Sequence, residues 1–282
     1  MNTLPVTSLD DPRLRVYANM RDAELAQRAD PLNTAAHEGL FIAEGQLVVE
    51  RLLKSRFRVH SILTTPARLA SLHHALSSLP PDTPVFLAPP ETLNSIVGLN
   101  MHRGLLAVGH RSSDLSLPDL LARPGPIVIL EDLVNHDNLG GVFRNAAALG
   151  GKGVSVLLSP RCADPLYRKS LRVSMGLALS VPFARAAAWP GALHDIRAAG
   201  FEVWALTLGS GTTPLPAAVA EAIAQHRRVA LILGSEGPGL TPLAQSAADR
   251  LVTIPMSKAD AAVDSLNVAV AAGIALYELA RR

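Results

Sequence analysis

Residues 229–240 read Val-Ala-Leu-Ile-Leu-Gly-Ser-Glu-Gly-Pro-Gly-Leu, an apolar run that ends abruptly in a glycine-rich turn. A short, uninterrupted apolar run of this kind is typical of a strand buried on both faces of a parallel sheet. Open α/β sheets bind ligands outside the carboxyl ends of their strands, where Glu236 would then lie. Taken alone, the turn is better explained as a plain strand-to-helix connection whose glutamate favours the next helix.

Four further runs of the same type flank this one and predict five buried strands in all. The additional strands are predicted at residues 127–130, 153–158, 202–206 and 251–254. Helices are predicted at residues 142–149, 165–175, 192–199, 216–225, 242–248 and 265–281. This alternation predicts an α/β fold with an open parallel sheet in residues 126–282.

The segment Asn138-Leu139-Gly140-Gly141-Val142-Phe143-Arg144 follows the first of these strands. Its two glycines predict the start of a helix, whose free N–H groups and positive dipole end would favour an anion. Arg144, one turn into that helix, could pair with a phosphate. The alternative is a capped surface helix with a solvated arginine.

The last strand is followed by Ile254-Pro255-Met256 and then by Ser265-Leu266-Asn267. Pro255 removes a hydrogen-bond donor and predicts the end of the strand. Asp264 or Ser265 is expected to cap the final helix, with Asn267 in its first turn facing the other loops. Capping alone leaves the polar Asn267 unexplained in an otherwise apolar run.

The first part of the chain predicts a small α/β domain in residues 1–112. Strands are predicted at residues 40–42, 59–63, 85–87 and 104–108, and helices at residues 43–53 and 66–79. Proline and glycine punctuate residues 113–125, which are predicted to be a linker.

Composition excludes several classes of protein. Of the 282 residues, 49% are hydrophobic and 18% charged, which excludes a disordered chain. The first residues lack a signal-peptide pattern and no apolar run reaches about 18 residues, so a soluble, cytoplasmic protein is expected. The single cysteine, Cys162, and nine scattered histidines predict no metal site.

A net charge of only +2 does not by itself demand a nucleic-acid partner. Local clusters of cations do suggest RNA phosphate contacts, which give affinity without reading sequence. The candidate RNA-binding residues are Arg161, Arg168, Lys169 and Arg172, with Arg56 and Arg58 in a second cluster. The alternative is a solvated basic face.

The three glycine- and proline-punctuated motifs, in this order, closely resemble the SpoU (TrmH-like) family of RNA ribose 2'-O-methyltransferases, of the SPOUT class. The resemblance covers residues 127–281. It is weaker over residues 38–110, where Phe41-Ile42-Ala43-Glu44-Gly45 and His102-Arg103-Gly104-Leu105-Leu106-Ala107-Val108 match the family's substrate-binding module. Residues 257–264 depart from the family pattern, because this link is longer and lacks glycine.

The resemblance implies a deep trefoil knot in the C-terminal domain (an α/β knot), an N-terminal RNA substrate-binding domain, and a homodimer whose sites are completed by the partner chain. It implies S-adenosyl-L-methionine as cofactor and structured RNA as substrate, with rRNA favoured over tRNA. The implied cofactor-binding residues are Thr207, Leu208, Gly209, Gly234, Ile254, Met256 and Leu266. The implied catalytic residues are Arg144, Asn138, Glu236, Ser265 and Asn267.

The resemblance gives Arg144 the role of general base. Because a guanidinium has a pKa above about 12, we expect it instead to clamp a phosphate and stabilise developing negative charge. A non-catalytic RNA-binding protein that retains the fold is the alternative, although Arg144, Glu236 and Asn267 are all present. A nicotinamide-dependent oxidoreductase is disfavoured, because no GxGxxG turn follows the strand at residues 127–130.

Overall fold

The computed structural model describes residues 2–8, 10–17, 22–27, 39–77, 79–97, 104–111, 115–257 and 265–281. The chain divides into two compact units. The first contains residues 1–113 together with 166–180, and the second contains residues 114–165 and 181–282. Residues 166–180, which the predicted boundaries place in the C-terminal domain, thus pack with the N-terminal unit.

The elements alternate between strand and helix along most of the chain. Up to residue 121 they are β1 (Asn2–Pro5), α1 (Asp22–Gln27), β2 (Leu40–Glu44), α2 (Gln46–Leu53), β3 (Val59–Thr64), α3 (Pro66–Leu76), β4 (Pro84–Leu87), α4 (Pro90–Val97), β5 (Leu105–His110) and α5 (Leu117–Leu121). They continue with β6 (Ile127–Leu130), α6 (His136–Leu149), β7 (Ser155–Leu158), α7 (Arg168–Val173), β8 (Phe183–Arg185), α8 (Ala192–Ala198), β9 (Phe201–Leu206), β10 (Thr213–Pro214), α9 (Leu215–Ala224), β11 (Arg228–Leu233), α10 (Pro242–Ser246), β12 (Arg250–Thr253) and α11 (Val268–Ala280). Two 3₁₀ helices lie at Pro12–Leu14 and Leu177–Leu179.

The first unit is built on a five-stranded mixed sheet in the order β1-β4-β3-β5-β2. Strands β1, β4 and β3 are parallel, whereas β5 is antiparallel to both β3 and β2. Leu40, Leu63, Phe86 and Val108 lie in its core, each at most 2% exposed. The four predicted strands are confirmed, and β1 is an additional short edge strand that ends in proline, a residue that sheets tolerate at edges.

The second unit is built on a seven-stranded sheet in the order β10-β12-β9-β11-β6-β7-β8. Every described pairing in it is parallel, which confirms the predicted parallel sheet. The five predicted strands all form. Strands β8 and β10 were not predicted, because β8 has three residues and β10 has two, too few to show a recognisable pattern.

The strand order brings three loops side by side. Strands β6, β7 and β8 follow one another toward one edge of the sheet. On the other side of β6 lie β11, then β9, then β12. Since all these strands are parallel, the loops that follow β9, β11 and β12 leave the same edge next to one another. Ligands of open α/β sheets bind at such an edge.

Helix α6 begins at His136 with Asn135 as its cap, so the prediction that it begins at the two glycines is wrong. Both glycines lie inside the helix, and Gly141 lies where α11 packs against it. A Cβ on Gly141 would lie 2.8 Å from Cβ of Ala269 in α11. The Asn145 amide donates a 2.6 Å hydrogen bond to the main-chain carbonyl of Ala269 and joins the same two helices.

The predicted linker, residues 113–125, contains helix α5. Ser116 and Asp119 form a reciprocal capping box at its start, and Leu120 is buried. Pro118, which suggested a break, occupies a position at the start of a helix where proline is well tolerated. Among the described residues, no helix combines the length and apolar character needed to cross a membrane.

Candidate active site

The loops that follow β9, β11 and β12, with the start of α11, enclose a cleft of about 770 Å³. This volume lies in the range of small-molecule sites. The structure brings six of the seven predicted cofactor-binding residues to its lining, namely Thr207, Leu208, Gly234, Ile254, Met256 and Leu266. Gly209 lies outside the lining, and Gln245 of α10 belongs to it although no sequence motif pointed there.

Gly234 is sterically required in the loop after β11. The loop folds back on itself, with the N–H of Gly239 donating to the carbonyl of Ser235 at 3.1 Å. A Cβ on Gly234 would lie 2.3 Å from the carbonyl carbon of Gly239 and 2.4 Å from the nitrogen of Leu240. Both of these are main-chain atoms that cannot rotate away, so a side chain here would force the loop open.

Three of the predicted catalytic residues form a continuous hydrogen-bonded chain. The Asn267 Nδ2 donates to Asn138 Oδ1 at 2.9 Å, and the Asn138 Nδ2 donates to Glu236 Oε1. Asn138 is contributed by α6, Glu236 by the loop after β11, and Asn267 by the start of α11. These hydrogen bonds therefore connect three separate elements beside the cleft.

The direction of these hydrogen bonds follows from the capping role of Asn267. Its Oδ1 accepts the main-chain N–H groups of Ala269 and Val270, which makes Asn267 the cap of α11. Only its amide nitrogen remains to face Asn138, so Asn138 accepts through its oxygen and has its own amide nitrogen left to donate. The next group must then be an acceptor, and the Glu236 carboxylate is one. The prediction of Ser265 as cap is wrong, and Asp264, with the rest of 258–264, lies outside the described residues. Ser265 lines the cleft.

Arg144 does not join this group within one chain. It lies near the middle of α6, exposed, and not one turn from its start as predicted. Six residues of α-helix place it about 120° around the axis from Asn138. Its side chain forms no hydrogen bond or ion pair with any residue that the structure describes.

The edge of the sheet also carries an ion pair between two loops of the second unit. Arg161, a predicted RNA-binding residue, pairs with Asp132, the second residue after β6, and the Ser159 hydroxyl also donates to that carboxylate at 2.9 Å. The hydrogen bond from Arg161 is the main reason that the pKa of Asp132 is lowered, and Ser159 lowers it further against an opposing effect of burial. The Arg161 side chain remains 76% exposed, so the pair leaves it accessible.

The other predicted RNA-binding residues belong to the first unit. Arg168 forms a 3.1 Å ion pair with Asp22, which partly neutralises it. Lys169, Arg172, Arg56 and Arg58 are exposed. Within the described residues, no cluster of three or more His, Cys, Asp and Glu side chains could hold a metal ion.

An all-parallel sheet with a cleft at the carboxyl ends of adjacent strands is the arrangement of α/β proteins that bind nucleotides and related ligands. Residues 125–277 match the SpoU rRNA Methylase family, and the chain belongs to this family. The resemblance drawn from the three motifs is thereby confirmed.

Relatives cover nearly the whole chain. A tRNA/rRNA methyltransferase of Mycobacterium bovis, described as uncharacterized, is 42% identical over 272 residues, or 96% of this chain and 90% of the relative. The AdoMet-bound rRNA methyltransferase of Sinorhizobium meliloti shares the fold with a TM-score of 0.77 at 23% identity, covering 99% and 98% of the two chains. An RNA 2'-O ribose methyltransferase superposes with a TM-score of 0.71 at 25% identity, covering 99% and 98%.

Proposed function

We propose that the protein transfers a methyl group from S-adenosyl-L-methionine to a ribose 2'-hydroxyl of structured RNA, with rRNA favoured over tRNA. The observation that carries this proposal is the cleft itself. Loops after three adjacent parallel strands meet there, beside the hydrogen-bonded Asn267, Asn138 and Glu236. Family membership and the names of the relatives support the same reaction.

The lining of the cleft fits a sulfonium nucleoside. Much of it is main chain and small or apolar side chains, which suits a nucleoside held by backbone N–H and C=O groups. Among the described lining residues, Glu236 alone carries a charge, and its carboxylate favours a cationic ligand. S-adenosyl-L-methionine, when bound, supplies an electrophilic methyl group on a positively charged sulfur.

The chain's own residues then have distinct tasks. Asn267 and Asn138 hold Glu236 in one orientation, and Ser265 offers a hydroxyl at the same wall of the cleft. A ribose hydroxyl is a poor nucleophile, so the site must help its proton leave or stabilise the negative charge that develops. Arg144 would clamp the adjacent phosphate and stabilise that charge.

We place Arg144 in the site of a partner protomer, because it is exposed and its side chain pairs with none of the residues that the structure describes. The surface of α11 supports a homodimer. Val270 and Tyr277, seven residues apart on one helix face, are 51% and 55% exposed. Large apolar side chains aligned on one exposed face favour a protein interface. The deep trefoil knot of the second unit belongs to the same proposal, supported by the shared fold.

Calorimetry with S-adenosylhomocysteine tests the cofactor assignment. The proposal requires binding of this compound and none of nicotinamide dinucleotides, which serve as the control. Mapping of 2'-O-methyl positions in rRNA and tRNA from strains with and without the gene then identifies the nucleotide. A protein that binds the cofactor product but leaves every position unchanged would favour the non-catalytic alternative.

A mixing experiment tests whether Arg144 acts across the dimer. Arg144→Ala and Glu236→Ala are each expected to be inactive alone. If Arg144 serves the partner's cleft, a heterodimer of the two variants has one intact site of two. About half of the dimers in an equal mixture are heterodimers, so the mixture regains about one quarter of wild-type activity. If Arg144 served its own cleft, both sites of the heterodimer would be damaged and no activity would return.

A further inference from the structure

Glu131 is a buried carboxylate to which no motif assigns a role. It follows β6 directly and is only 1% exposed. Its Oε1 accepts hydrogen bonds from Trp189 Nε1 at 2.6 Å and from Thr241 Oγ1 at 2.7 Å. Its Oε2 accepts the main-chain N–H of Thr241 at 2.8 Å. A buried carboxylate is costly unless it is fully hydrogen-bonded, and this one is satisfied by three donors.

These bonds attach Glu131 to both ends of the loop that forms one wall of the cleft. The main-chain N–H of Glu131 donates to the carbonyl of Leu233 at 2.9 Å, immediately before the loop 234–240. Its carboxylate binds Thr241, immediately after that loop. Thr241 also caps α10, because its Oγ1 accepts the N–H of Ala244 at 3.2 Å. One residue thus fixes the point where the loop leaves the sheet and the point where it enters the next helix.

We infer that Glu131 is a positioning residue, which sets the shape of the loop 234–240 and through it the affinity of the cleft for its nucleoside ligand. The inference about affinity rests on the proposed function, whereas the inference about the loop does not. Glutamine cannot replace the glutamate. Glutamine has one acceptor oxygen and one NH₂ donor group. Its NH₂ must therefore face either the Thr241 N–H or the Trp189 and Thr241 side-chain donors, and donors cannot bond to it.

The test uses four variants of the full chain. Glu131→Gln removes the double acceptor, and Thr241→Val removes only the hydroxyl donor. Thr241→Ser keeps both donors of residue 241 and serves as the matched conservative variant. Asp249→Asn is the control in the same unit, because Asp249 also accepts a main-chain N–H, that of Val203 at 2.8 Å, away from the cleft lining.

Two measurements are made on each variant. Calorimetry with S-adenosylhomocysteine is expected to show affinity about tenfold or more weaker for Glu131→Gln, and a smaller loss for Thr241→Val. Peptide-resolved hydrogen–deuterium exchange is expected to show faster exchange confined to residues 234–241. Thr241→Ser and Asp249→Asn are expected to stay within about twofold of wild-type affinity.

The outcomes separate the inference from the proposed function. If Glu131→Gln and Thr241→Val melt at lower temperature but keep wild-type affinity and wild-type exchange in 234–241, Glu131 is merely structural and the inference is overturned. If wild-type protein fails to bind the nucleoside, the proposed function fails, and exchange alone decides the loop-positioning role. Should Glu131→Gln not fold, Thr241→Val decides the question.

Discussion

Replacing Asn267 by aspartate separates two tasks that the asparagine performs at once. Its Oδ1 caps α11, and its Nδ2 donates to Asn138 at 2.9 Å. Aspartate is as good a helix cap as asparagine, so Asn267→Asp retains the first task. It has no N–H to donate, so it loses the second and turns an oxygen toward the Asn138 oxygen. Asn267→Ala loses both.

The structure gives the size of each loss. Asn138 is only 7% exposed, so its Oδ1 loses a partner that water cannot readily replace. A buried polar group left unpaired costs about 1–3 kcal/mol. At about 1.4 kcal/mol per factor of ten, kcat/KM should fall about 5- to 150-fold in Asn267→Asp. The same lost hydrogen bond should lower the unfolding free energy of both variants, and that of Asn267→Ala should fall by about 1 kcal/mol more, because it also loses the cap.

Methyl transfer is measured with radiolabelled S-adenosyl-L-methionine and RNA from a gene-deleted strain, and stability by urea unfolding of the same preparations. Asn267→Asp and Asn267→Ala should lose similar activity but differ in stability. An Asn267→Asp variant within about twofold of wild-type kcat/KM would refute the role of the amide donor.

Arg144→Ala is expected to abolish methyl transfer while leaving calorimetric affinity for S-adenosylhomocysteine nearly unchanged, because Arg144 lies outside the cleft lining. Gly234→Ala is expected to weaken that affinity more than about tenfold, because the new Cβ would lie 2.3 Å from the carbonyl carbon of Gly239. Arg161→Ala is expected to lower the unfolding free energy at neutral pH, because it removes the main partner that lowers the pKa of Asp132. That stability is present above the ordinary aspartate pKa of about 3.9 and is lost as pH falls through the folded-state pKa. Urea unfolding should therefore show that the difference in unfolding free energy between Arg161→Ala and wild type shrinks from neutral to strongly acidic pH.

Equal loss of cofactor affinity and methyl transfer in Arg144→Ala would remove its role as a phosphate clamp. Gly191→Ala is the control for Gly234→Ala, since its Cβ would lie an ordinary 3.7 Å from Cβ of Ala188. Equal affinity in the two glycine variants would contradict the steric argument. A stability difference for Arg161→Ala that persists unchanged at strongly acidic pH would show that it does not depend on ionised Asp132.

Strands were the most predictable part of this fold. The predicted strands are mostly apolar runs. In β6 the run is uninterrupted and is bounded by Pro126 and Glu131, so the predicted bounds coincide with the observed ones. The start of α6 was mispredicted because glycine usually disfavours a helix interior. Gly141 is there to let Ala269 approach, and that contact spans two distant parts of the chain. Local sequence does not carry such information.

The same distinction applies to the candidate site. Motifs predicted that Gly234, Glu236 and Asn267 share one site, and the structure gathers them there. They could not predict that Asn267 is itself the cap of α11, because a cap and a ligand-facing amide look alike in sequence. Glu131 gave no signal, since its partners Trp189 and Thr241 lie 58 and 110 positions further along. Only tertiary structure shows that its carboxylate is buried.

The hydrogen bond between Asn138 and Asn267 joins residues 129 positions apart. Contacts of such long sequence separation form late, because closing so long a loop costs chain entropy. During synthesis, strand β6 and helix α6 leave the ribosome well before Asn267 is translated. A nascent chain stalled before α11 could already hold strands of the sheet, yet it would lack one wall of the cleft and the residue that orients Glu236 through Asn138. The site is therefore incomplete until translation has passed the start of α11.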